Sequence, residues 1–105
     1  MEQLGWHFAG ICSRNYGILQ ECENYGAVYN GCNLSGICGY GYNDSKIISC
    51  KNYGDCFNSS YGSGGIMSNG TGTIEKCINY GNGFMGGIVG QGGYFPYDSR
   101  RFNNF

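Results

Sequence analysis

One phrase recurs three times in this chain: CENYG at residues 22–26, CKNYG at 50–54 and CINYG at 77–81. A five-residue phrase that varies only at its second letter is a strong constraint on folding, because each copy then demands the same local geometry. Written in rows that begin at each Gly-Ile, the chain reads GICSRNYGILQECENYG (10–26), GICGYGYNDSKIISCKNYG (36–54) and GIMSNGTGTIEKCINYG (65–81), and a fourth row opens as GIVG at Gly87. The first and third rows agree at eight of 17 positions, and the second carries two extra residues around Tyr42 to Ser45. Row starts lie 26, 29 and 22 residues apart, the spacing of a repeat architecture.

The 21 Gly and 12 Asn among 105 residues argue against long helices, since Gly costs about 1 kcal/mol per helical position relative to Ala. Aromatic content of 16% with only 12% charged residues opposes the disorder that such a Gly-rich chain otherwise suggests. Short β-prone runs bounded by Gly and Asn, such as residues 47–50 and 73–77, read as strands joined by turns. No segment has room for a crossover helix. A sandwich of antiparallel hairpins gives no reason for equivalent strands to keep equivalent residues, whereas a right-handed parallel β-helix (β-solenoid) of about three coils does. In such a fold equivalent residues stack about 4.8 Å apart.

Stacking predicts columns. Cys22, Cys50 and Cys77 form one inward column, Leu19, Ile47 and Ile74 a second, and Cys12, Cys38, Met67 and Val89 a third, with Ile11, Ile37, Ile66 and Ile88 beside it. Cys serves here as a small buried hydrophobe. Asn24, Asn52 and Asn79 stack at a turn, and Gly26, Gly54 and Gly81 are expected to supply positive φ. Glu21, Ser49 and Lys76 before the repeated Cys, and Glu23, Lys51 and Ile78 after it, are expected to point outward. Residues 1–9, with Trp6 and Phe8, and residues 91–105, with Pro96, are candidate caps for the open ends of residues 10–90.

The pattern Gly-Ile-x-x-x-Asn-x-Gly-x-Ile-x-x-Cys-x-Asn-x-Gly, best met by residues 10–26, resembles the GLUG-motif repeat of bacterial surface and secreted proteins. Rows two and three lack the Asn equivalent to Asn15, and the sequence after Gly90 departs from the pattern. The resemblance implies a parallel β-helix and a structural or adhesive module of larger extracellular proteins, and it brings no catalytic residues.

Chemistry is sparse. The one histidine, His7, precedes the first row and is a poor base for any of the seven cysteines. The repeated cysteines would stand in line rather than at tetrahedral corners, so no metal or cofactor is expected. Their side chains run parallel, which aims them badly for disulfides; Cys32 and Cys56, outside the columns, are the better candidates for a pair. A polysaccharide-degrading β-helix would group acids on one outer face, and Glu21 and Glu23 are the nearest approach to such a pair. Tyr25, Tyr53 and Tyr80 repeat in register, with Tyr16, Tyr40, Tyr42 and Tyr61 nearby; they form a structural ladder or a stripe that receives a host glycan or protein. The net charge of −1 favours neither nucleic acid nor anionic lipid, and no apolar run is long enough for membrane insertion. Without a visible signal peptide, the chain is either a cytosolic repeat protein or a piece of a longer extracellular one that supplies neighbouring repeats.

Overall fold

The computed structural model describes residues 8–31, 33–59, 62–90 and 103–104. Trp6, His7, Cys32 and Tyr61 lie outside the described residues, as does most of the candidate cap at 91–105. The fold is all-β, built of small parallel sheets, none of them closed, and the described residues include no helix.

Fourteen short strands follow one another in rows. The first row holds β1 (Phe8–Ala9), β2 (Cys12–Asn15), β3 (Ile18–Gln20), β4 (Glu23–Asn24) and β5 (Val28–Gly31). The second holds β6 (Leu34–Ser35), β7 (Cys38–Gly41), β8 (Lys46–Ile48), β9 (Lys51–Asn52) and β10 (Cys56–Ser59). β11 (Met67–Gly70), β12 (Thr73–Glu75) and β13 (Cys77–Asn79) follow, and β14 (Asn103–Asn104) comes last. No strand pairs with its neighbour in sequence. Each pairs with its counterpart in the next row, giving sheets β1-β6, β2-β7-β11, β3-β8-β12, β4-β9-β13-β14 and β5-β10. Every pairing is parallel except β13 with β14, which is antiparallel and covers the outer edge of the third row at Cys77 and Ile78.

The register follows the sequence rows closely enough to locate the insertion. Cys12 faces Cys38, 26 residues on, but Ile18 faces Lys46, 28 residues on. The two extra residues therefore fall between Gly41 and Lys46. There they form a turn in which the Ser45 N–H and Oγ both donate to the Tyr42 carbonyl, at 2.9 and 2.7 Å. The next row lacks them: Met67 lies 29 residues past Cys38, and Thr73 only 27 past Lys46.

The apolar columns meet between the sheets. Leu19, Ile47 and Ile74 are register partners, as are Cys12, Cys38 and Met67, with Val89 bridged to Met67. Ile37, Ile47, Ile66 and Ile88 are buried, and each contributes about 2 kcal/mol relative to an exposed side chain. Burial fades in the first row, where Leu19 and Cys22 are half-buried and Ile11 is exposed, because the described residues place nothing beyond that row.

Two expectations about the turns are corrected. Positive φ does not fall on Gly26, Gly54 or Gly81. It falls on Glu21, Ser49 and Lys76 (57°, 56° and 56°), the residues just before the repeated cysteines. These stacked corners hold side chains in a left-handed conformation that costs roughly 1–2 kcal/mol per residue. Their N–H groups find partners in the next row: Glu21 donates to Ile48 and Ser49 to Glu75, both at 2.9 Å. The phrase-ending glycines have a different cause. A Cβ on Gly54 would lie 2.0 Å from the Gly26 carbonyl oxygen, and one on Gly81 would lie 1.9 Å from that of Gly54. Backbone stacks on backbone there, and only glycine leaves the room. Gly54→Ala is therefore expected to destabilise the fold by about 3 kcal/mol or more, whereas Gly17→Ala, whose Cβ meets nothing within 4 Å, shifts stability by about 0.5 kcal/mol or less. Urea denaturation of the two variants checks this; equal midpoints would refute the close-approach account.

Candidate functional site

The phrase that repeats in the sequence builds one continuous hydrogen-bonded column. Asn24, Asn52 and Asn79 are register partners, and their amides join end to end: Asn24 Nδ2 donates to Asn52 Oδ1, and Asn52 Nδ2 to Asn79 Oδ1, each at 2.8 Å. Each amide also closes its own turn. Asn52 Nδ2 donates to the Gly54 carbonyl at 2.9 Å, while the Gly54 N–H donates back to Asn52 Oδ1 at 3.1 Å. Asn24 and Asn79 do the same with Gly26 and Gly81. The Asn52 amide has two donors and two acceptor lone pairs, and all four are used with the side chain fully buried.

The glycine that opens each row walls this column. A Cβ on Gly10 would lie 2.4 Å from Asn24 Oδ1, and those on Gly36 and Gly65 would lie 2.2 Å from Cγ of Asn52 and Asn79. The first and last parts of each row are thus tied by one contact: a flat amide against a bare backbone.

Cys22, Cys50 and Cys77 run alongside. Cys50 and Cys77 are fully buried, and all three are free thiols. The Cys22 N–H donates to Cys50 Sγ at 3.4 Å; Cys50 and Cys77 donate to carbonyls two residues back, at 3.5 and 3.3 Å. Donation of its thiol hydrogen to Cys50, with burial adding, raises Cys77. Cys50, which accepts from that thiol, is drawn below the ordinary thiol value. In the neighbouring column burial pushes Cys38 up to about 12. Cys56 is a buried free thiol. Among the described residues no group of three or more His, Cys, Asp or Glu side chains is placed to hold a metal ion, and no helix is long and apolar enough to cross a membrane.

Tyr25, Tyr53 and Tyr80 stand outside the turn, stacked face to face. Ring centroids are 4.7 and 5.0 Å apart and the planes lie within 11° of each other, as the strand spacing imposes. Relative exposures are 68%, 37% and 56%, so the ladder is open to solvent. Both faces of the Tyr53 ring are covered by its neighbours, and what the ladder presents outward is ring edges and hydroxyls. The Tyr25 hydroxyl donates to Glu23 Oε1, which raises its pKa. Glu23 thus serves a tyrosine, while Glu21 occupies the left-handed corner two residues earlier.

Three further features escaped the reading by rows. Tyr16 stacks on Tyr42 at 4.2 Å, and Tyr40 meets Tyr42 edge-on at 4.9 Å. The signal was Tyr16 and Tyr42 each directly following a register pair, Asn15 with Gly41. Asn58 Nδ2 donates to Asn30 Oδ1 at 3.0 Å, a second asparagine pair on β5 and β10, strands that lie beyond the recurring phrase. Last, a cavity of about 250 Å³ lies at the third-row end of the asparagine column, lined by Asn79, Gly81, Asn82, Gly83, Phe84, Met85 and Gly87. A smaller apolar one, about 180 Å³, lies by Phe8, Val28, Tyr29 and Leu34.

No family model matches the chain, and no curated protein or solved structure shows significant similarity to it.

Two outcomes follow from this geometry. Asn52→Ala strips partners from Asn24, Asn79 and both Gly54 backbone groups, all in a buried setting, and is expected to cost about 3 kcal/mol or more in chemical denaturation. A loss under about 1 kcal/mol would show that water replaces the amide. The Cys38 thiol binds its proton more tightly folded than unfolded, so its contribution to stability is fully present below the ordinary value of 9.0 and is lost as pH climbs from there towards about 12. The melting temperature of the wild type is therefore expected to fall over that interval more steeply than that of Cys38→Ala; parallel curves would contradict the assignment.

Proposed function

We propose that the chain is a right-handed parallel β-helix of about three coils, of the GLUG-motif repeat kind, and acts as a non-enzymatic structural or adhesive module of a bacterial cell-surface or secreted protein. The observation that carries this reading is the in-register stacking of equivalent residues, strand on strand and amide on amide, over successive rows. Such stacking makes a stiff element whose length scales with the number of rows, which suits a stalk or spacer. In the first row β2, β3 and β4 are paired on one side only among the described residues, an edge suited to neighbouring repeats of a longer chain. A screen of the purified chain against polysaccharides for hydrolase and lyase activity tests the non-enzymatic reading. No turnover is expected; turnover abolished by Glu21→Gln or Glu23→Gln would overturn it.

The solvent-open tyrosine ladder favours a second reading, a glycan-binding module. Because Tyr53 is sandwiched, a sugar would meet the row of hydroxyls and the outer faces of Tyr25 and Tyr80 rather than the central ring. Under this reading Tyr53→Ala weakens binding on a glycan array and leaves the circular dichroism spectrum unchanged. Absence of binding across the array would remove it.

A further inference from the structure

The asparagine column has a direction, and its last member is incomplete. Asn24 and Asn52 each use one Nδ2 hydrogen on their own turn and the other on the next asparagine. Asn79 uses one on the Gly81 carbonyl, at 3.2 Å, and the described residues offer no acceptor for the other. Asn79 is only 2% exposed, so this is a buried donor without a partner, at the place where a fourth asparagine would continue the column.

The wall of a fourth socket is nevertheless present. Gly10, Gly36 and Gly65 each back one asparagine amide, and a Cβ on Gly10 would meet the Gly36 carbonyl oxygen just as one on Gly65 would meet that of Gly87, at 2.6 and 2.4 Å. Gly87 therefore occupies, in the fourth row, the place of the socket glycine. The sequence from Gln91 onward has no Cys-x-Asn-Tyr-Gly phrase to fill it. The 250 Å³ cavity lies there, with Asn79 and Gly87 among its lining residues and Phe84 and Met85 at its side.

We propose that this cavity binds a neutral acetamido group, as carried by N-acetylated amino sugars. The carbonyl oxygen would accept the spare Asn79 Nδ2 hydrogen as a fourth asparagine would, the planar amide would lie against the bare backbone of Gly87, and the methyl group would rest on Phe84 and Met85. A charged carboxylate or ammonium group has no countercharge among the lining residues, which selects for a neutral amide. The site is separate from the tyrosine ladder and does not depend on it.

Proton–nitrogen NMR of the intact chain, with the Asn side-chain amides assigned, tests the proposal. Acetamide and N-acetylglucosamine should shift the Asn79 Nδ2 resonances saturably in the millimolar range, and glucose and glucosamine should leave them in place. Met85→Ala, at an exposed position, should weaken the N-acetylglucosamine response about threefold or more without changing the melting temperature. Tyr53→Ala should leave it unaltered, which separates this site from the tyrosine reading. Absence of a saturable Asn79 shift, an equal shift with glucose, or a response lost in Tyr53→Ala would overturn the proposal.

Discussion

The hydrogen bond from one asparagine amide to the next is the constraint on which the other features of this molecule depend. Asn52 is buried, and a buried amide is tolerable only when every donor and acceptor is engaged. Its two turn bonds require glycine two residues on, and its two ladder bonds require asparagine at the same place in the adjoining rows. Its flat face requires glycine at the row start. Four letters of the row are thus dictated by the satisfaction of a single polar side chain, and the apolar columns are placed by the register that results.

That dependence explains how much of the architecture was legible. The cysteine, aliphatic and asparagine columns could be read directly, because stacking like on like repeats the letter at each level. The two-residue insertion could also be read, since row length reports where a turn bulges. Other features were opaque for definable reasons. Glycine is both small and conformationally free, and the letter does not say which property is in use; at Gly54 and Gly81 it is the size. The left-handed corners fall on Glu, Ser and Lys, residues with no preference for that conformation, so composition carried no sign of them. The fifth strand of the first two rows escaped because β5 and β10 lie beyond the recurring phrase, where Val28 faces Cys56 and Tyr29 faces Phe57 with no letter in common.

The candidate site was legible in part. The tyrosines of the phrase were expected in register, and they stack. What the letters could not convey is that parallel strands about 4.8 Å apart leave just enough room for one ring on another, so that stacking consumes the faces a ligand would use. The thiols follow similar logic in a drier setting. They fill volume, and each thiol hydrogen has a carbonyl within reach.

The left-handed corners at Glu21, Ser49 and Lys76 have a bearing on evolution and engineering. All three lie at the surface or partly so, and each carries conformational strain that Gly or Asn would relieve without disturbing the interior. The molecule therefore holds an unclaimed reserve of thermal resistance at the periphery of its turns, reachable by single surface changes. A lineage pressed by heat would be expected to draw on these bends first, long before it altered the crowded amide column that they encircle.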